Sequence, residues 1–233
     1  MKYVAFGRKN MKVNRLFCNH MVLQAKKTVR IFGTGKGKVS VEINGVYREM
    51  ISEKEDWLVE LPAQDYGGPY ILKVNLNSEE KVFEDVWFGD VFLMGGQSNM
   101  RYNIDVSPLE EKDYAQSDNL RIFGVSETDA AGFTFDEGWS PLTKNNAGRW
   151  SAIAYYMGLA LEKREDKKYG FILCGIGASV IQSYLPKGTF DGTECEIPYE
   201  ERCHDIERVT VYANREIEIQ WKFGCDFSQC KGA

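Results

Sequence analysis

Asp90-Val91-Phe92-Leu93-Met94-Gly95-Gly96-Gln97-Ser98-Asn99-Met100 is the stretch that decides the fold. Val91 to Met94 is apolar without alternation, the pattern of a strand covered on both faces at the centre of a parallel sheet, and such a sheet needs helices on both sides. Gly95 and Gly96 let the backbone turn sharply and come close to a bound group. Ser98 then emerges just past the strand's carboxyl end, where open α/β sheets place ligands. A serine there presents its hydroxyl and its own N–H, and a helix starting beneath it favours a developing negative charge. Those are the requirements of an acyl-transfer nucleophile. The same serine equally suits the cap of the following helix.

Gly96-Gln97-Ser98-Asn99-Met100 resembles the nucleophile block of the sialate O-acetylesterase family within the SGNH hydrolases. It differs from the G-x-S-x-G elbow of other α/β-hydrolases, since Met100 stands where that motif needs glycine. Asp85-Val86-Trp87-Phe88-Gly89-Asp90-Val91 is similar to the family's lead-in to the nucleophile, and Phe17-Cys18-Asn19-His20-Met21-Val22-Leu23-Gln24 to its amino-terminal signature. Gly67-Gly68-Pro69-Tyr70 fits as well. The resemblance continues through Trp150-Ser151-Ala152-Ile153-Ala154-Tyr155-Tyr156 to Gly177-Ala178-Ser179-Val180-Ile181-Gln182-Ser183-Tyr184 and is lost beyond.

The resemblance implies a serine esterase that removes acetyl groups from sialic acid or a related acetylated sugar, without metal or other cofactor. Ser98 would be the nucleophile, Gln97 and Asn99 its substrate-binding neighbours, and Gly177 the oxyanion glycine. An oxyanion needs backbone N–H groups about 3 Å away, which a residue without Cβ allows. Three positions depart from the family, which usually has glycine at Ala178, glutamate at Gln182 and tryptophan at Tyr184. Its later W-Y-Q-G-E-S-N-like and D-x-x-H blocks have no counterpart. A serine nucleophile needs a base within hydrogen-bond reach. Downstream of Ser98 that leaves His204, with Glu201 three residues before it as a carboxylate able to orient an imidazole. The missing blocks imply a chain truncated at its C-terminus, possessing the nucleophile and lacking the usual base. A catalytically silent carbohydrate-binding or interaction module is the alternative.

The chain has 233 residues, 43% hydrophobic and 27% charged, which suits one large domain or two small ones. A net charge of −5 without a basic stripe argues against nucleic acid and anionic membranes as partners. The first eleven residues lack the apolar run of a secretory signal, and no stretch reaches the length of a membrane span, so a cytoplasmic location is expected. Cys18 and Cys174 lie in apolar runs and read as small buried hydrophobes. Cys195, Cys203, Cys225 and Cys230 crowd the tail near His204, but only the loose pair Cys225 and Cys230 approaches zinc-site spacing, and no metal is expected.

Period-2 alternation between turn signals marks residues 11–88 as an all-β module, and the resemblance implies the small β-sandwich domain that the family carries before its catalytic one. Val39, Val41 and Ile43 run into Asn44-Gly45, a hairpin turn, and Val46-Tyr47 begins the return. Trp57, Val59 and Leu61 form the next run. Tyr70, Leu72, Val74 and Leu76 form another after a Gly67-Gly68-Pro69 turn. His20 belongs to this module as a structural histidine.

Residues 89–190 then read as an incomplete flavodoxin-like, three-layer α/β domain of SGNH type, with parallel strands near Val91, Ile122 and Ile172. Trp150, Ile153, Ala154, Met157 and Leu161 repeat at helical spacing, and Glu162 to Lys168 reads as a solvated exit. Ser107 to Glu111 reads as a solvated acidic face, and Ser126 to Asn146 as an irregular loop. Residues 191–233 stay unassigned, with strands expected at Val209 to Tyr212 and Ile217 to Trp221. An incomplete sheet predicts an exposed apolar edge and self-association.

Overall fold

The structure, a computed structural model, describes residues 12–106, 114–125, 138–175, 206–211 and 217–221. Eight strands come first: β1 (Lys12–Val13), β2 (Val22–Gln24), β3 (Val29–Thr34), β4 (Gly37–Ile43), β5 (Val46–Ser52), β6 (Asp56–Leu61), β7 (Gly67–Leu76) and β8 (Glu79–Gly96). Alternation buries Val39, Val41 and Ile43 of β4, Trp57, Val59 and Leu61 of β6, and Leu72, Val74 and Leu76 of β7. These side chains meet between a small sheet, β1-β3-β6, and the β5-β4-β7-β8 part of a larger one, which is the expected sandwich. Asn44 and Gly45 both have positive φ, 50° and 72°, so the predicted hairpin turn pins Ile43 opposite Val46.

Gly67-Gly68-Pro69 is not the turn that its composition suggested but the opening of β7. The glycine is needed for proximity. A Cβ on Gly68 would stand 2.8 Å from the Trp87 ring and 2.9 Å from the Val86 carbonyl, and its φ of 139° disfavours any side chain.

β8 joins the two halves of the chain. Its first part pairs antiparallel with β7, from Glu79 opposite Leu76 to Phe88 opposite Gly67. Its last part, Asp90 to Gly96, pairs parallel with β11 (Tyr169–Gly175), whose other side carries β9 (Ser117–Gly124), also parallel. The strands expected near Val91, Ile122 and Ile172 are therefore all present and parallel. The first lies against the third, and the second lies against the third rather than against the first. Every residue of β11 is buried, as a central parallel strand requires. With β10 (Ser140–Leu142) at one end, the whole sheet runs β10-β9-β11-β8-β7-β4-β5, with β2 beside β8. It passes through residues 88 and 89 without a break, and one hydrophobic core holds Ile31, Val41 and Val74 together with Phe123, Ile172 and Cys174.

Part of the segment expected to be irregular is ordered. β10 (Ser140–Leu142) pairs antiparallel with β9 and closes its outer edge, so this side is not the open apolar edge predicted. Trp139 beside it is buried against Phe123, and its indole N–H donates to the Leu16 carbonyl at 2.9 Å. Asn146 fastens the following turn, donating to the Pro141 carbonyl at 2.8 Å and accepting from the Thr143 N–H.

The helix α2 (Ala152–Glu162) packs on the sheet, with Ser151 as its N-cap accepting from the Ala154 N–H. Its buried face is Ala154, Tyr155 and Gly158, with Met157 and Leu161 packed against the same core, so that of the face predicted Ile153 alone turns outward. Trp150 is buried but precedes the helix, so counting from it misplaces Ile153, which faces outward with Tyr156. The solvated exit is also corrected at its end. Lys168 is buried over the Trp87 ring, its Nζ bonded to the Asp118 carboxylate and carbonyl.

β12 (Ile206–Val211) and β13 (Ile217–Trp221) form an antiparallel pair with Val209 opposite Ile219, close to the two tail strands expected.

Candidate active site

The turn that carries Ser98 is built by the ends of two neighbouring parallel strands. Gly95 and Gly96 are still in register with Cys174 and Gly175 of β11. Gly96 has φ of 151°, and a Cβ there would stand 3.2 Å from the Met100 Cβ, so the chain can fold back on itself only with glycine. Gln97 takes the N-cap position with extended backbone and no side-chain cap bond, and its carbonyl accepts from the Met100 N–H at 3.0 Å. Ser98 opens the helix α1 (Ser98–Arg101). The capping reading of Ser98 thus passes to Gln97, and Gln97, Ser98 and Asn99 are all exposed.

The expected helix beneath the serine is a single turn of 4 residues. So short a helix has little dipole to offer, and charge stabilisation must come from individual N–H groups. Across the turn, Gly175 at the end of β11 leaves room for Arg101. A Cβ on Gly175 would stand 3.3 Å from the Arg101 Cδ and closer still to its Cγ. Ser98 therefore sits above the carboxyl ends of β8 and β11, as the strand-turn reading required. Gly177 and His204, and with them Ala178, Gln182, Glu201 and the four tail cysteines, lie outside the described residues.

Beyond α1 the chain is tied to α2. The Ala152 N–H donates to the Tyr102 carbonyl at 2.8 Å, and Asn103 bridges Ser151. Tyr114 donates a short hydrogen bond to the Asp105 carboxylate, and this bond pushes the phenol up to about 12.

His20 is placed far from the serine. It sits in a turn with φ of 66°, its Nδ1 2.6 Å from Asp85 Oδ2. From Asp85 to Gly96 β8 runs on the order of 30 Å, so this histidine cannot serve Ser98 as a base. What surrounds it was missed by sequence reasoning. Arg121, in the strand expected near Ile122, is 1% exposed, and its guanidinium donates to the carbonyls of His20 and Asp85, both at 3.0 Å, and faces Asp85 Oδ2 at 2.9 Å. Burial pushes the Asp85 carboxyl up, but hydrogen bonds from His20, Trp87 and Arg121 outweigh it and hold the group below its ordinary value. The available signal was an arginine inside a buried strand, which demands a carboxylate.

Among the described residues no three His, Cys, Asp or Glu side chains come together as a metal site, and no helix is long and apolar enough to cross a membrane. Cys174 is fully buried. Cys18 is only partly so, and its sulfur accepts from the Trp139 N–H at 3.3 Å while burial pushes its thiol up.

A scan against protein-family models finds no match. Among curated proteins, the sialate O-acetylesterase of Mus musculus is 28% identical over 208 residues, covering 77% of this chain and 38% of that protein. That of Pongo abelii is 29% identical over 194 residues, covering 71% and 37%. The chain is sialate O-acetylesterase-like. It spans 37% to 38% of the length of these relatives. A crystal structure of a carbohydrate acetylesterase from Xanthomonas citri matches this acetylesterase-like chain with a TM-score of 0.66 at 23% identity, over 81% of this chain and 46% of that one. At that identity the likeness shows the fold alone, a parallel α/β sheet continuous with a β-sandwich.

Proposed function

We propose that the chain carries the acyl-transfer half of a carbohydrate acetylesterase, with Ser98 as the nucleophile and an acetylated sugar, sialic acid or a relative, as the substrate. One observation carries this reading: an exposed serine on a glycine-enforced turn above the carboxyl ends of two parallel strands, in a sialate O-acetylesterase-like chain. The Ser98 oxygen attacks the acetyl carbonyl while its proton passes to a base. Collapse of the tetrahedral intermediate releases the sugar hydroxyl and leaves an acetyl-serine, which water then cleaves. The Ser98 N–H and that of Gly177 are the proposed oxyanion donors, with Gln97 and Asn99 beside the acyl group.

The base is the discriminating position. His20 is excluded by distance, which favours a second reading in which the chain binds acetylated sugar and turns it over poorly, unless His204, oriented by Glu201, serves. Rapid mixing with 4-nitrophenyl acetate separates the two. A burst of nitrophenol lost in Ser98→Ala supports the esterase, and the absence of any burst supports the silent module. If His204 is the base, His204→Ala costs about as much as Ser98→Ala, since paired groups act as a unit. The rate would then rise with pH through about 6.5. We expect His204→Ala to leave the burst unchanged within a few-fold.

A further inference from the structure

The surface that begins at the nucleophile's own turn is aromatic. Tyr102, which ends the turn Ser98 begins, is 49% exposed, and on α2 beside it Ile153 and Tyr156 are 44% and 50% exposed. The Tyr102 carbonyl accepts from the Ala152 N–H, so Tyr102 adjoins the start of α2, where Ile153 and Tyr156 share one helix face at i,i+3 spacing. Val106, 54% exposed, completes the patch.

Both rings are braced from behind. The Tyr102 hydroxyl donates to the Val106 carbonyl at 3.0 Å, which fixes the ring across the turn. Tyr156 stands edge-on to the buried Tyr155, with ring centroids 5.2 Å apart at 87°. An exposed ring already held in place loses little freedom when a ligand covers it. Tyrosine also suits an occupant that is apolar on one face and hydroxylated at its rim better than an aliphatic patch would. Tyr102 lies one helical turn, about 6 Å, from Ser98, within the span of a single pyranose whose acetyl group has reached the serine.

We infer that Tyr102 and Tyr156 form a stacking wall for the sugar ring of the acetylated substrate, so that this surface, and not the acetyl contacts alone, selects carbohydrate esters. The inference rests on the esterase reading above for its geometry, but its test does not depend on turnover. The two rings are positioning residues for the sugar and take no part in bond making.

The experiment measures binding of methyl glycosides of O-acetylated N-acetylneuraminic acid, glucose and xylose by saturation-transfer NMR, using the whole chain. In parallel, a small fluorophosphonate that carries no sugar labels Ser98. For the glycoside that binds best, Tyr102→Ala and Tyr156→Ala are expected to weaken binding about five- to tenfold each, from the loss of one aromatic face. Tyr156→Phe keeps its face and is expected to retain binding, Tyr102→Phe, which keeps the face but loses the brace to the Val106 carbonyl, is expected to weaken it less than Tyr102→Ala does, and probe labelling stays within twofold in both Tyr156 variants. Equal binding by wild type and both alanine variants overturns the inference. So does the absence of binding by any glycoside while Ser98 is labelled. A concentration-dependent dimer that Tyr156→Ala dissociates would also overturn it, assigning the face to a second copy. Failure of Ser98 to be labelled, with tyrosine-dependent binding intact, sinks the nucleophile and leaves the wall standing.

Discussion

Arg121 shows what one charge demands of a buried strand. Its guanidinium is almost wholly shut off from water, so the cost of burial is met chiefly by Asp85 and two carbonyls, with the Asp118 carboxylate farther off at 3.8 Å, while its Nε has no partner among the described residues. Asp85→Ala leaves that cation with only the more distant Asp118 carboxylate and is expected to cost about 2 to 4 kcal/mol, somewhat below a fully buried pair because Asp85 is itself 32% open. Arg121→Met should cost less than Asp85→Ala, and urea unfolding of the two variants checks the order. The carboxyl has a lower pKa folded than unfolded, so its contribution is full above the unfolded value. It is lost as pH falls through the folded one. Acid unfolding below about pH 4 should therefore be gentler in Asp85→Asn than in the wild type. Ser98 was legible because glycines and an apolar run fix its place without neighbours, whereas the Arg121 pairing links residues 36 positions apart and no local pattern reports it.

At the level of elements, period alone located most strands but not their company. Asn44-Gly45 fixed a register, and Trp57, Val59 and Leu61 fixed a face, because both are local properties. The face of α2 was misread at Ile153 because Trp150, the strongest apolar residue of its run, belongs to the turn before the helix. The β10 strand was hidden by its brevity and its proline. The true face makes a prediction. A Cβ at Gly158 would stand 3.0 Å from a Leu120 methyl and 3.2 Å from Phe171, so Gly158→Leu should push α2 off the sheet and cost about 1 to 3 kcal/mol. Ile153→Lys, on the face first expected to be buried, should change stability by less than about 0.5 kcal/mol. Thermal melts of the pair decide which face is buried. At the end of β11, Gly175→Ala crowds Arg101 and displaces the turn it shares with Ser98. Labelling of Ser98 should slow by roughly tenfold or more, as a misplaced nucleophile does, with little loss of stability.

At the scale of the whole molecule, the largest sheet among the described residues changes character along β8, antiparallel in the sandwich and parallel beneath the serine. No run of sequence announces that change, since a strand buried on both faces reads alike in either setting. A division at residues 88 and 89 stays a proposal about folding units. With a core shared across it, residues 12–175 should lose structure in one transition, and hydrogen exchange should protect β4 and β11 to similar extents. The central proposal is that this sheet presents Ser98 at its rim as a nucleophile, and mapping the adduct of a fluorophosphonate tests that most directly. Peptide mass spectrometry of the labelled chain is expected to find the phosphonyl group on Ser98 and to lose it in Ser98→Ala. An adduct on any other residue, or labelling that survives Ser98→Ala, would contradict the assignment.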